Sequence, residues 1–167
     1  MNDNNILAVI LAGGKSKRFG EDKNLAKLGS KSLIEHVIDK VREKFKKILI
    51  IANKDVKIQP SQNLAIVPDH IAGNLGPLVG VLTGMKWAKN AGASYKWIAT
   101  FPSDTPFCDI TIVDQYKKKI TSNSSPLYFV RSGEKRHNIF GLWSVHLADQ
   151  LDKDLELGSR KVERWAN

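Results

Sequence analysis

Two glycines run directly into a cluster of cations in Leu11-Ala12-Gly13-Gly14-Lys15-Ser16-Lys17-Arg18-Phe19-Gly20. Glycine admits positive φ and lets the backbone come close to a phosphate. Successive amides in such a loop form an anion-binding concavity. Arg18 adds a planar fork for phosphate oxygens, and Lys15 and Lys23 add compact charges. The competing description is a glycine turn with surface lysines. The density of cations around the glycines favours phosphate. The segment has neither the closing Gly-Lys-Ser/Thr of a P-loop nor a Gly-x-Gly-x-x-Gly fingerprint, so it is a cradle of another kind.

A second candidate is Pro102-Ser103-Asp104-Thr105-Pro106. Here a carboxylate is held on stiff backbone between two prolines. Asp104 suits Mg²⁺ beside a triphosphate, because magnesium takes one or two carboxylates together with phosphate oxygens. It could equally close an Asx-turn. Facing a phosphate loop, the metal role gains weight. Asn53 could read a base or ribose, or cap a turn. Asp69 could accept from a base N–H or a ribose hydroxyl, or lie in a plain loop. Gly76 and Gly80 would let the backbone and a following helix close on a ligand. His36, His70, His137 and His146 are too scattered to propose a metal set, and no Ser-His-Asp arrangement can be argued. The lone Cys108 excludes an intramolecular disulfide and reads as a small buried residue rather than a nucleophile.

These residues need elements to hold them. Ile6–Leu11, Ile48–Ala52, Leu64–Val67 and Trp97–Phe101 are nearly all apolar, as strands covered on both faces are. Leu127–Val130 and Ile139–Trp143 read as two more strands. Helices are expected from a Ser32 cap with a stripe of Leu33, Val37, Val41 and Phe45, then over residues 78–90, 109–119, 145–155 and 159–165. Residues 12–30 read as polar, glycine-rich loop. The alternation predicts an α/β fold, a three-layer α/β/α sandwich with a mainly parallel sheet. Ligands of such sheets bind beyond the carboxyl ends of the strands. The candidate residues all follow strands.

The 167 residues suit one domain, and 42% apolar with 26% charged is ordinary for a globular chain. No apolar run is long enough for a membrane span. The net charge of +9 favours phosphate-rich ligands, but the lysines are scattered and close helices around Lys44–Lys47 and Lys117–Lys119. No basic stretch interleaved with aromatics suggests nucleic-acid readout. The lone cysteine suits a reducing cytoplasm.

Together, the Leu11-to-Gly20 segment, Asp22-Lys23, Asn53, Pro68-Asp69, Gly76-Pro77-Leu78-Val79-Gly80 and Ser103-Asp104-Thr105-Pro106 resemble the molybdenum cofactor guanylyltransferases. These belong to a wider family of NTP-transferase domains with a Rossmann-like nucleotidyltransferase fold. That family also holds the cytidylyltransferase for the same cofactor and the sugar nucleotidyltransferases. The resemblance spans residues 6–165. It implies that GMP moves from MgGTP to the phosphate of molybdopterin, giving the guanine dinucleotide and pyrophosphate. It implies nucleotide contacts at Leu11, Ala12, Gly13, Gly14, Lys15, Lys23, Asn53, Asp69, Gly76 and Asp104. Arg18, Lys23 and Asp104 would carry the chemistry, with Mg²⁺ on Asp104. The alternatives are a related transferase with another acceptor and a non-catalytic nucleotide-binding protein. Expected partners are GTP, molybdopterin and molybdoenzyme-maturation proteins, with the chain a monomer or a weak homo-oligomer.

The sequence departs from the family pattern in two places. The family continues with a further strand and an Asn-x-Asn-Thr-Pro segment where this sequence stops at Asn167, so a single NTP-transferase domain with an incomplete acceptor half is expected. The family also carries His-Pro where this sequence has His137-Asn138, on the acceptor side.

Overall fold

A computed structural model describes residues 5–13, 26–52, 56–70, 76–92, 95–122 and 125–166. Its frame is set by β1 (Ile6–Leu11), whose residues alternate between two cores. Ile6, Ala8 and Ile10 enter one, while Leu7 and Val9 enter the other. A strand buried on both faces must be apolar throughout, which explains the uninterrupted run in the sequence.

β1 pairs in parallel with β4 (Ile48–Ile51) on one side and with β6 (Trp97–Pro102) on the other. β5 (Leu64–Val67) extends the sheet in parallel beyond β4. β8 (Lys135–Ser144) runs antiparallel to β6, and β7 (Leu127–Ser132) closes that edge antiparallel to β8. The order among the described residues is β5-β4-β1-β6-β8-β7. From β1 the chain works outward to β5 and then returns to the other side of β1 as β6. The strand order therefore reverses at β1, which makes this the switch point of the sheet.

One face is covered by α1 (Leu33–Arg42) and α3 (Ile112–Ser122). The other is covered by α2 (Pro77–Asn90), α4 (Ala148–Glu156) and the short α5 (Val162–Trp165). This is the expected three-layer sandwich. Salt bridges Lys44–Asp114 (2.8 Å), Lys86–Asp152 (2.6 Å) and Lys89–Asp149 (2.8 Å) tie the turn after α1 to α3 and α2 to α4 across the surface.

Local chemistry explains most boundaries. At the start of α1 the Ser32 backbone N–H and hydroxyl both donate to the Glu35 carboxylate, at 2.7 and 2.6 Å. Those bonds hold the Glu35 carboxyl below its ordinary range. The buried stripe of α1 is Ile34, Val37, Ile38 and Val41. Phe45 is buried beyond the helix end, so Lys44–Lys47 belong to the turn into β4 and not to the helix. Residues 109–111 form a turn in which Asp109 accepts from the Thr111 amide and hydroxyl, and α3 starts only at Ile112. Lys117–Lys119 consequently lie within α3. Inside the stretch expected as loop, β2 (Lys27–Leu28) and β3 (Lys31–Ser32) form a two-stranded hairpin turned at Gly29, which has φ of 67°. Strands of two residues are too short to show a period.

Candidate functional site

The carboxyl ends of β1 and β6 meet at the switch point. Leu11 lies beside Pro102, and the Ser103 N–H donates to the Leu11 carbonyl at 3.2 Å. Ala12 donates to the Ile51 carbonyl at 2.8 Å, which fixes the exit of β1 against β4 as well. Leu11, Ala12 and Gly13 are therefore carried to the same edge as Ser103 and Asp104. Asp104 is exposed there, in a turn closed by the Thr105 hydroxyl on the Pro102 carbonyl at 3.0 Å. Gly14, Lys15, Arg18, Lys23 and Asn53 lie outside the described residues.

Asp69 follows β5, three strands from β6. At the usual strand spacing this puts it about 14 Å along the edge from Asp104. Gly80 of α2 links Asp69 back to β1. A Cβ at Gly80 would stand 2.9 Å from Leu11 Cδ2 and 3.5 Å from Asp69 Oδ1. The close approach that glycine allows here is thus to two candidate nucleotide-contacting side chains. Gly80→Val is expected to push both aside, costing about 1–3 kcal/mol of stability by overpacking. It should also weaken nucleotide binding at least tenfold. Denaturant unfolding with nucleotide titration checks this, and unchanged nucleotide affinity would refute it.

Gly76 precedes α2 with φ of 92°, a conformation that side chains other than glycine rarely adopt. A Cβ there would also meet the Arg160 carbonyl at 3.2 Å. Gly76 thereby seats the α4–α5 connection against the start of α2.

That contact helps form a cleft of about 460 Å³ beyond Asp104, lined by Pro77, Thr105, Lys135, Arg160, Lys161 and Val162 among others. Its cations come from two distant parts of the chain, the Gly133 turn into β8 and the entry to α5. Sequence reasoning did not single them out as site residues. The available signal was the paired basic doublets, Lys135-Arg136 and Arg160-Lys161, each beside a glycine-containing turn.

The donor chemistry at the switch point is that of a hard carboxylate. No cluster of three or more potential metal-ligating side chains occurs among the described residues. One carboxylate fits a cation such as magnesium, which shares its coordination with phosphate oxygens and water. The histidines have other partners. His36 meets the Leu28 carbonyl, His70 meets Lys86, His137 meets Ser132 and His146 meets Ser144. Cys108 is half-buried, and burial pushes its thiol up, away from the reactive thiolate. No helix among the described residues is long and apolar enough to cross a membrane.

Comparison with known proteins agrees with this architecture. The family model of the MobA-like NTP transferase domain matches residues 8–167. The molybdenum cofactor guanylyltransferase of Haemophilus influenzae is 34% identical over 158 residues, covering 94% of this chain and 80% of that protein. The enzyme of the same name from Mesorhizobium japonicum is 32% identical over 165 residues, covering 95% and 79%. The crystal structure of molybdopterin-guanine dinucleotide biosynthesis protein A from Archaeoglobus fulgidus shares the fold, with a TM-score of 0.74 at 17% identity over 93% of this chain and 76% of that one.

Proposed function

The chain belongs to the MobA-like NTP transferase domain family, and on that premise we propose that it transfers GMP from MgGTP to the terminal phosphate of molybdopterin, in the cytoplasm. The acceptor phosphate oxygen forms a bond to the α-phosphorus, the bond to the bridging oxygen breaks, and pyrophosphate leaves. Such a transfer needs positioning and charge neutralisation more than covalent help from the protein.

One observation carries this reading. The exit of β1 and the Asp104 turn are hydrogen-bonded neighbours at the switch point of a mainly parallel sheet, through Ser103 N–H and the Leu11 carbonyl. A nucleotide lying along this edge would have its phosphates at β1 and β6 and its base toward Asp69. In this reading Leu11, Ala12, Gly13 and Gly14 supply close backbone, and Lys15, Arg18 and Lys23 offset phosphate charge. Asn53 and Asp69 contact the nucleoside, while Gly76 lets the start of α2 close on it. Asp104 holds Mg²⁺, which when bound would neutralise charge on the phosphates. The acceptor enters the cleft beyond Asp104, where Lys135, Arg160 and Lys161 favour an anion.

The test is pyrophosphate release by the purified protein with GTP and molybdopterin, repeated with CTP and ATP. Release with GTP at least tenfold above the other two supports the proposal. Preference for CTP or ATP overturns the guanine assignment. Nucleotide binding without release under any acceptor would mark a binding protein instead.

A further inference from the structure

The wall of the cleft formed by β8 is not a regular strand. Along β7, Phe129 pairs with Gly141 while the next residue, Val130, pairs with His137. Asn138, Ile139 and Phe140 are thus extra residues on β8. Such a bulge re-aims side chains and interrupts pairing, so something other than the ladder must hold it.

Thr100 of β6 holds its middle, the hydroxyl donating to the Ile139 carbonyl at 2.5 Å, and side chains reaching to α5 hold the rest. The Asn138 amide donates to Glu163 Oε1 at 2.6 Å. Arg136 Nε donates to Asn138 Oδ1 at 2.8 Å, and the same guanidinium lies over the Phe129 ring at 5.1 Å and reaches the Glu163 carbonyl at 3.5 Å. The Arg136 fork is therefore engaged by the wall itself. On the far side, Trp165 of α5 stacks on Trp143 at 6.1 Å and donates to Asp154 at 2.7 Å. α5 is pinned at both ends of its short length, with Lys161 just before it.

We propose that Asn138 and Glu163 form a strap between the β8 bulge and α5 that sets the width of the cleft and so the spacing of Lys135 from Lys161. Both are positioning residues. The proposal rests on the assignment of this cleft to the phosphate of the acceptor. Its chemistry is specific: one residue must donate to Glu163 and accept from Arg136 at once, which a primary amide does and an aliphatic side chain does not. The strap also engages the carboxylate of Glu163, which lines the cleft.

Two readouts test it. The first is titration with inorganic phosphate, followed by amide NMR shifts of residues 135–140 and 161–163. Wild type should respond, and Asn138→Ala should bind phosphate at least fivefold more weakly. The exchanged pair Asn138→Asp/Glu163→Gln keeps the bond from Arg136 and rebuilds the one between positions 138 and 163 with the donor now on α5, and should return affinity to within twofold of wild type. The second readout is turnover with molybdopterin, where Asn138→Ala should raise KM about tenfold with kcat and GTP affinity within twofold. Absence of phosphate-induced shifts in wild type overturns the strap. So do equal phosphate affinity in Asn138→Ala, failure of the exchanged pair to rescue, or a matching loss of GTP affinity. If wild type binds phosphate here but releases no pyrophosphate, the transferase reading fails and the phosphate titration still decides the strap.

Discussion

Asp104→Ala is expected to lower metal-dependent pyrophosphate release by about three orders of magnitude, the scale seen when a single group stabilising developing charge is removed. The carboxylate is exposed at the end of β6, so its loss leaves no buried cavity. The turn around it should survive, because Thr105 closes on Pro102 without using the Asp104 side chain. The variant should therefore unfold within about 0.5 kcal/mol of wild type, as surface substitutions usually do. Asp104→Asn keeps the shape and removes the charge, and it should be nearly as inactive. Steady-state assay over a magnesium titration, with unfolding in parallel, separates the two effects. Turnover close to wild type in either variant would remove Asp104 from the metal role.

Trp143→Ala carries the largest expected loss of stability, about 3–5 kcal/mol. Trp143 is fully buried and meets Phe129 edge to face at 5.1 Å and Trp165 at 6.1 Å. Its indole N–H donates at 2.8 Å to the Thr100 hydroxyl, which also accepts from the Gly141 amide at 3.2 Å and donates to the Ile139 carbonyl at 2.5 Å. Gly141 makes room for the ring, since a Cβ there would lie 2.6 Å from the indole nitrogen. Removing the ring leaves a large cavity, strips a partner from a buried hydroxyl and takes from Trp165 its stacking partner, one of the contacts that hold α5 to the sheet. For a chain of this size the midpoint of thermal unfolding should fall by roughly 6–20 °C. Phosphate affinity in the cleft should fall with it. A loss below about 1 kcal/mol would mean that the site collapses around the cavity and that the described packing is not what holds β8.

These two positions differ in how visible they were beforehand. Asp104 stood out because a doubly buried strand must be apolar, so its end is marked by an abrupt change to proline, serine and aspartate. The same contrast marked Leu11 to Gly13 and Asp69. Trp143 was legible only as a member of a strand. Its partners Thr100 and Trp165 belong to two other elements, and no period connects them to it. The β8 bulge was equally hidden, and the strand was expected to begin at Ile139 when it begins at Lys135. The cleft stayed unseen because residues such as Asn138 and Glu163 are 25 positions apart and meet only through the bulge.

The sequence by itself determined the layered α/β class, the main strands and helices, and the polar residues that must leave the strand ends. Those features follow from local rules: burial dictates which residues are apolar, and glycine, proline and capping residues dictate where elements stop. Only the tertiary structure decided which strand ends are neighbours, that β8 and β7 run against β6, and that cations from the β8 hairpin and the α4–α5 connection face one cleft. Strand order and loop-to-loop contacts depend on how the crossovers pack across the whole sheet. That packing brings together groups whose spacing along the chain carries no trace of the meeting.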